Sequence, residues 1–562
     1  MARKPNATFG PDRLDVLVGR AKAAWTHKSK WDNLIRECYR FGLPAVDPWG
    51  TSAGGDAWNA PSEVGTSRRD DVMDSTLEQS NLKLIASIKE DFFPHGTTWA
   101  FLEPRPGLSE SQKIIMRPVL QQINAAISDV VHASNFDIEI GKTGQDRTTA
   151  GNGYLAPSWD EDNENEPLGF HCISQADVAV ECDSKGKPTA YFVKAQMPWE
   201  EAEAIYGIKA IPENIDRSKE RTAKVWRIHY KRQDKFRWES YHILESEDGS
   251  SGSPTMLKDV EMNGLDECPI LRWVWSQSPK EKYGRGPVMA ALADFLTLNT
   301  AKRLILTQAG FDALNLYKTT PGAIADEYNV IPEPGEVLVV PRMDQFERVD
   351  TGNGQASTQI VIDDLRRDVR KQMFDPDLPE SLEQGNPATA TEIRARLREH
   401  RRNHAVAAAH TAEFASEIIT WVKAKMTKRS DARIKKGGLD IKTSPTQDPF
   451  QLAKELPASY VRLDSPLIDS QEFIDLDRLL EAIEMAHTVN PKEIGPFRLV
   501  AKETDIIRAI FEKNRVSAAL YTTKEEEVEN AKGLARMAEQ QVEGGGQGGP
   551  PALTQPPGAP NV

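Results

Sequence analysis

The sequence has little of what would place a protein in a membrane or an oxidising compartment. Its 562 residues include only four cysteines, with no close pairs: Cys38, Cys172, Cys182 and Cys268. We expect free thiols in a reducing compartment, because neither a disulfide framework nor zinc-ligand spacing is present. There is no run of about eighteen apolar residues, so we expect no membrane span. The segment Met1–Asn6 has no apolar stretch, and we expect no secretory signal there.

The sequence also lacks an excess of positive charge. Its 70 lysines and arginines are outnumbered by 84 aspartates and glutamates, which gives a formal net charge of −14. Proteins that hold nucleic acid tightly do so through many Lys and Arg contacts to phosphates. A tight DNA-binding function is therefore disfavoured. A protein that forms a channel for DNA is not excluded, because the wall of such a channel must not bind the DNA tightly.

Two motifs that resemble nucleotide-binding sites are incomplete in the sequence. Gly141–Thr143 resembles the end of a phosphate-binding loop, but Phe136 stands where that loop needs its first glycine, so a polar turn is predicted. Gly151–Ala156 fits GxGxxA, but Pro157 and an acidic turn follow it instead of a helix. No catalytic Cys/His signature occurs. We expect no enzymatic activity and no cofactor.

Two groups of potential metal ligands are better explained as structure. Four acidic residues alternate like calcium ligands: Asp160, Asp162, Glu164 and Glu166. Asn165 and His171 stand where an EF-hand needs Gly and Glu, so a solvated hairpin tip is favoured over weak cation binding. His400 and His404 lie one helical turn apart, but two arginines and no glutamate separate them. We expect no metal site.

What the sequence does contain is a central stretch, from Tyr283 to Arg429, patterned for helices. Behind Pro287, which suits a first helical turn, apolar residues recur at helical spacing to Leu306. A second helix is predicted by apolar residues every four positions: Val361, Leu365, Val369 and Met373. The capping box Thr389–Glu392 opens a third pattern that keeps one phase to Met426. At about 1.5 Å per residue this last helix is roughly 55–60 Å long, so it needs neighbours to cover its faces.

The rest of the chain mixes helices and strands. Three helices are predicted near its start: 11–41, 76–93 and 109–135. The segment from Gly144 to Trp199 is predicted to be β-rich, with hairpin turns at Asp160–Glu166 and Asp183–Lys187. A short helix to Tyr206, a hairpin of 225–230 with 238–244 and a strand at 270–275 are predicted to follow it. After the central helices a strand at 460–463 precedes helices that reach residue 541, and the Gly/Pro tail cannot bury enough apolar surface to fold alone. The predicted class is α+β, dominated by helices.

Two motifs, in order along the chain, are similar to those of a known family: Lys282–Pro287 with Asp294 and Leu298-Asn299 behind it, and Ala388–Ile393. With a predicted hairpin and a charged helix between these two motifs, the chain resembles the portal (head-to-tail connector) proteins of short-tailed, T7-like bacteriophages. Three further segments also resemble the portal pattern: Asp177–Gly186, Cys268–Arg272 and Ser465–Leu467. The resemblance extends over about residues 11–490.

This resemblance implies a phage portal fold, with wing, stem, clip and crown regions around a central channel. The regions would be the wing 1–283, first stem helix 284–310, clip 311–356, second stem helix 357–374, tunnel loop 375–390, long wing-to-crown helix 391–429, crown 430–541 and disordered tail 542–562. The tail departs from any core shared with the family.

The resemblance also implies function and partners. Portal proteins form a homo-oligomeric ring of about twelve subunits at one capsid vertex. The ring passes double-stranded DNA during packaging and ejection, docks the terminase large subunit and the tail adaptor, and nucleates head assembly with the major capsid and scaffolding proteins. The expected location is the virion, and the host cytoplasm during assembly, without membrane insertion. The alternative is another virion structural protein, such as an internal core or tail-tube component.

Two sets of candidate site residues follow. A polar loop bounded by Gly and Pro is predicted to be the mobile constriction nearest DNA: Gln384, Gly385 and Asn386. Five basic residues of the stem helices are candidate channel or inter-subunit charges: Lys302, Arg303, Arg366, Arg370 and Lys371. We favour inter-subunit ion pairs with the acidic residues of the same helices: Asp294, Asp363, Asp364 and Asp368. The alternative is a ring of charge facing DNA.

Overall fold

The computed structural model describes part of the chain in detail. The described residues are 11–49, 71–161, 163, 166–207, 222–231, 238–245, 255–259, 268–314, 317–319, 346–348, 355–374, 390–435, 449–455 and 459–463. The helices predicted between 470 and 541, the tail beyond them and the predicted constriction at Gln384, Gly385 and Asn386 lie outside these residues.

Helices and strands alternate along the described residues. The helices are α1 (Pro11–Gly42), α2 (Thr76–Phe92), α3 (Glu110–His132), α4 (Phe136–Ala150), α5 (Trp199–Tyr206), α6 (Pro287–Leu314), α7 (Gln355–Gln372), α8 (Ala390–Lys435) and α9 (Pro449–Glu455). The strands are β1 (Ala100–Pro104), β2 (Asn152–Trp159), β3 (Leu168–Ile173), β4 (Val178–Cys182), β5 (Pro188–Pro198), β6 (Thr222–Lys231), β7 (Trp238–Leu244), β8 (Thr255–Asp259), β9 (Leu271–Val274), β10 (Tyr317–Thr319), β11 (Phe346–Arg348) and β12 (Ser459–Leu463). The mixture of helix and strand confirms the α+β class.

The helix α4 corrects two predictions. The polar turn predicted at Gly141–Thr143 lies inside this helix, and the β-rich segment begins at Asn152 instead of Gly144 because residues 144–150 are also helical. The helix shows no apolar stripe, because polar residues such as Arg147 and Thr148 are fully buried on it. These residues form hydrogen bonds with the rest of the protein, so the periodicity that reveals an amphipathic helix is absent from the sequence.

The strands form two main antiparallel sheets. One has the order β4-β5-β6-β7-β8 and the other the order β3-β2-β9. The hairpins β2–β3 and β4–β5 confirm the predicted turns: the N–H of Asp160 donates to Pro167 and the N–H of Asp183 donates to Lys187, both at 2.8 Å. Strand β9 joins β2 from the far end of the β-rich region, which no local pattern predicted.

The five-stranded sheet carries apolar cores on both faces, because successive side chains of a strand point to opposite sides. On one face α1 packs with a core that includes Leu17, Ala21, Phe192, Trp226 and Ile228. On the other, the core includes Val180, Tyr191, Val193, Tyr154 and Tyr283. Tyr283 lies just before α6, so the sheet directly supports the start of that helix.

The central helices are found where the sequence predicted them. α6 packs against α7, and the short β10–β11 pair lies between them in the chain. The two helices are antiparallel, since Gln372 at the end of α7 bonds to Asp294 near the start of α6. α8 has 46 residues and is about 70 Å long at about 1.5 Å per residue. Assignment of these helices to stem and crown regions stays a prediction.

One pairing joins segments that the predicted regions separate. Strand β12, within the segment predicted to be crown, pairs antiparallel with β1 of the predicted wing, with Ala100 opposite Leu463. The Tyr460 hydroxyl donates to the Glu103 carboxylate at 2.7 Å across this pair. The chain thus returns to its N-terminal half after the long helix.

Candidate functional site

The chain enters α6 through Lys282–Pro287, which we call the root of α6. At the root, the backbone lies directly against the backbone at the end of α4. Gly151 follows α4 and has φ of +83°, and a Cβ there would lie 2.3 Å from the Gly284 carbonyl oxygen. A Cβ on Gly286 would lie 2.5 Å from the Thr148 carbonyl oxygen. No side chain fits at these distances, so Gly284 and Gly286 allow the two backbones to touch. This is the physical reason for the glycines of the Lys282–Pro287 motif.

A network of buried hydrogen bonds also holds the root of α6 in place. The Asn152 side-chain oxygen accepts hydrogen bonds from the N–H of Gly284 at 3.0 Å and from two guanidinium nitrogens of Arg272, at 3.0 and 2.7 Å. Arg272 also donates to the Lys282 carbonyl at 2.8 Å. The Tyr283 hydroxyl, 1% exposed, accepts from the N–H of Val180 at 3.1 Å. The start of α6 is thereby bonded to both sheets.

A second anchor, at Asp74, holds α6 and α7 together. The Asp74 side chain is 2% exposed and lies just before α2. It accepts hydrogen bonds from the Thr76 hydroxyl and N–H, from Lys302 of α6 at 2.9 Å and from Arg366 of α7 at 2.8 Å. Burial alone would raise the pKa of Asp74, but the bonds from Thr76, Lys302 and Arg366 outweigh it and hold the pKa well below its usual range.

Asn299 of α6 adds to this anchor. Its side-chain oxygen accepts from the N–H of Met73 at 2.7 Å, and its amide nitrogen donates to the Asp71 carbonyl at 2.8 Å. Asn299 is 6% exposed and belongs to the Leu298-Asn299 motif. Its role is therefore to fasten α6 to the backbone that precedes α2.

The basic residues predicted as site residues have partners within the chain. Lys302 and Arg366 bind Asp74, and Arg303 lies 3.9 Å from an Asp71 oxygen. Lys371 lies 4.0 Å from Asp368.

The acidic residues that we expected to pair between subunits also have neighbours within α7. Asp363 lies 3.4 Å from Arg366, and Asp364 lies 3.3 Å from Arg367. Arg370 is exposed on the same helix. Whether any of these basic residues faces a channel or a second subunit stays a prediction.

Beyond the anchors, the helix pair exposes bulky apolar side chains. Leu304 and Leu306 of α6 are 65% and 52% exposed, and Ile360 and Val361 of α7 are 65% and 52% exposed. In the near half of α6 one face is buried, as Phe295 at 0% exposure shows. Exposed bulky apolar side chains on neighbouring helices are candidates for protein–protein contact.

Sequence reasoning singled out Asn299, Lys302 and Arg366 but missed Asp74, the residue that these helices are anchored to. Asp74 was visible only as part of an Asp-Ser-Thr cluster before a helix, which indicates a helix cap and nothing more. Asn152 lies in the GxGxxA segment and Arg272 ends the Cys268–Arg272 segment, but neither pattern indicated their hydrogen bonds, since these join distant segments. Among the described helices none is long and apolar enough to cross a membrane. The described residues also contain no cluster of metal-binding side chains.

The sequence was compared with known proteins. A sequence model of the bacteriophage head to tail connecting protein family matches residues 15–443. The match spans the root of α6, the Asp74 anchor, both paired helices and α8 through its last residue. Among curated proteins, none matches the chain.

Proposed function

Because this chain belongs to the bacteriophage head-to-tail connecting protein family, we propose that it is the portal protein of a short-tailed, T7-like phage. It has a portal-type role in the phage head, is located in the virion, and assembles as an oligomer with capsid and tail partners. In the proposed role it forms a ring of about twelve subunits that passes double-stranded DNA. The ring docks the terminase large subunit and the tail adaptor, and it nucleates head assembly.

The observation that supports this proposal is the contrast along α6 and α7. Both helices are rigidly anchored at one end, yet carry exposed Leu304, Leu306, Ile360 and Val361 further out. Copies of the chain packed side by side would cover these residues. Head-to-tail contacts between identical copies close into a ring when the rotation between neighbours is a full turn divided by a whole number, with no shift along the axis. The helices would then stand around a shared axis.

The electrostatics are compatible with a conduit. The acidic net charge of −14 opposes tight retention of DNA, and the basic residues of the helix pair lie beside carboxylates such as Asp74, Asp363 and Asp364. Paired charges attract a phosphate backbone less than free ones. A duplex could pass such a wall without being held at one position.

The proposal is tested first by the mass and shape of the purified protein. Native mass spectrometry should find a closed ring near twelve protomers, and electron microscopy should show an open centre. A protomer that stays single under all conditions, or a particle with a closed centre, would contradict the proposal. Those results would favour an internal core or tail-tube component instead.

The DNA role is tested by deleting Glu383–Asn386, the predicted constriction. Rings should assemble, but DNA packaging or retention in the head should fall. A variant in which the same four positions become Gly-Ser-Gly-Ser separates the effect of loop length from that of its side chains. Normal packaging by the deletion variant would show that this loop does not act on DNA.

A further inference from the structure

Arg147, in the last turn of α4, is a buried cation without an acidic partner among the described residues. It is 0% exposed, and burial lowers the pKa of its guanidinium. It makes cation–π contacts instead with two aromatic rings. The guanidinium carbon lies 4.3 Å from the ring centre of Trp273 and 4.8 Å from that of Trp275. Arginine keeps its proton in proteins, so a full charge is held inside the fold.

The hydrogen bonds of Arg147 reach two other elements. Its Nε donates to the Val274 carbonyl of β9 at 3.2 Å. One terminal nitrogen donates to the Ala407 carbonyl at 3.0 Å and to the Thr411 hydroxyl at 3.2 Å, both in the long helix α8. The guanidinium is therefore hydrogen-bonded to α8 about two-fifths of the way along this helix.

The Thr411 hydroxyl makes all the hydrogen bonds of which it is capable. It accepts from Arg147 and from the Trp273 indole N–H at 3.1 Å, and it donates to the Ala407 carbonyl at 2.6 Å. A hydroxyl can donate one hydrogen bond and accept two, so no capacity is left. The Ala407 carbonyl receives these side-chain donors in addition to its place in the helix. Such extra donors occur where long helices bend.

The same turn of α4 also touches the root of α6. The Arg147 carbonyl accepts the N–H of Gly151 at 2.9 Å. The neighbouring Thr148 carbonyl is the atom that leaves no room for a Cβ on Gly286. One helical turn thus contacts the start of α6 through its backbone and the middle of α8 through the Arg147 side chain.

Stability alone does not account for a charge at this position. Replacing buried ionic groups by apolar ones of similar volume is often neutral or stabilising, so a buried charge is better explained by the geometry it imposes. We propose that Arg147 is a positioning residue that fixes α8, at Ala407–Thr411, to the root of α6. The two helices then move as one body.

The consequence for DNA rests on the proposed function. Residues 375–389, which include the predicted constriction, connect α7 to α8. A displacement of the first part of α8 would pass through Ala407 and Arg147 to the root of α6. The paired helices would thereby respond to events at the loop, although the loop and the root are far apart in the sequence.

The test measures the distance between α6 and α8 in the assembled protein. Spin labels are introduced as noncanonical amino acids at the exposed positions Ala293 and Ala409, because native cysteines are present. Doubly labelled chains are diluted with unlabelled ones, so that the distances recorded lie within one subunit. Thr411→Val keeps the shape of the residue but removes the hydroxyl, and Thr411→Ser keeps the hydroxyl as the matched control.

The wild type and Thr411→Ser should give one narrow distance distribution, and Thr411→Val should give a distribution about twofold broader or shifted. A folded Thr411→Val protein with the wild-type distribution would overturn the inference. If Thr411→Val does not fold, Arg147→Lys decides, because an ammonium cannot reach both acceptors in the fork geometry of a guanidinium. The distances do not depend on DNA passage, so failure of the portal proposal would leave this result interpretable.

Discussion

The two ends of the α6–α7 pair are built on opposite principles. At the root, Gly284 and Gly286 bring backbones into contact and Asn152 closes a buried network. Further out, Leu304 and Ile360 are each 65% exposed. The root is complete within one chain, whereas the outer half exposes apolar side chains that a neighbouring subunit would cover in the proposed ring. The comparison shows that one helix can be fully packed within its own chain at one end and expose apolar side chains at the other.

The energies behind this contrast differ in kind. Burying one Leu or Ile side chain fully is worth about 1.5–3 kcal/mol, and the outer half forgoes this until another chain covers it. The root instead depends on close contact, where one added methyl group has no space. Mutations at the root should therefore act on folding, and mutations in the outer half should act on assembly.

The largest effect is expected at the root. Gly151→Ala places a Cβ against the Gly284 carbonyl and forces an L-residue to a φ of +83°. We expect a loss of about 3 kcal/mol or more in the free energy of unfolding, because neither the backbone nor its neighbour can move without breaking the network. The midpoint of thermal unfolding measures this.

Gly310→Ala is the matched control for that change. A Cβ at Gly310 meets nothing within 4 Å, and the residue lies inside α6. Alanine should stabilise the helix by up to about 1 kcal/mol. Equal effects of the two substitutions would mean that the root is not the tight contact described here.

The Asp74 anchor should show the next largest effect. Asp74→Asn removes the charge that binds Lys302 and Arg366, and both cations are 29% exposed. We expect a loss of about 2–3 kcal/mol, less than for a fully buried pair because water partly screens the cations. Asp364→Asn, which breaks an exposed pair with Arg367, should change stability by less than about 0.5 kcal/mol.

The same variant has a defined pH dependence. The folded-state pKa of Asp74 lies below that of a free carboxyl, so its stabilisation is present above the unfolded pKa and is lost as pH falls through the folded one. The difference between wild type and Asp74→Asn should stay constant from about pH 8 to pH 5 and shrink below about pH 4. A constant difference down to about pH 2 would contradict the charge-based account.

The smallest effect on chain stability is expected in the outer half. Leu304→Ser with Ile360→Ser should change the free energy of unfolding of the chain by less than about 0.5 kcal/mol, because both side chains are exposed. The ring of this variant should nevertheless be weaker, so that it dissociates at protein concentrations at which the wild-type ring stays intact. Sedimentation velocity over a dilution series would show this. Leu304→Met with Ile360→Met keeps the apolar surface and should keep the ring. Unchanged assembly of the serine variant would show that these residues are not an interface.

The central helices could be predicted from the sequence because their signals are local. Apolar spacing predicted α6 and α7 within a few residues, and the capping box Thr389–Glu392 marked the start of α8. The turn at Asp183–Lys187 predicted a hairpin for the same reason. Each signal needs only residues that are neighbours in the chain.

Other features were decided only by the tertiary structure. α4 was missed because its buried polar residues serve partners elsewhere, as Arg147 serves Ala407 at a separation of 260 residues. Lys302 was expected to pair with acidic residues of its own helices, but it binds Asp74, which is 228 residues away. An ion pair or buried hydrogen bond forms with whichever group the fold brings within reach. The sequence by itself determined the helices and hairpins whose signals are local, and packing between distant segments determined α4 and selected the partners of the buried polar groups.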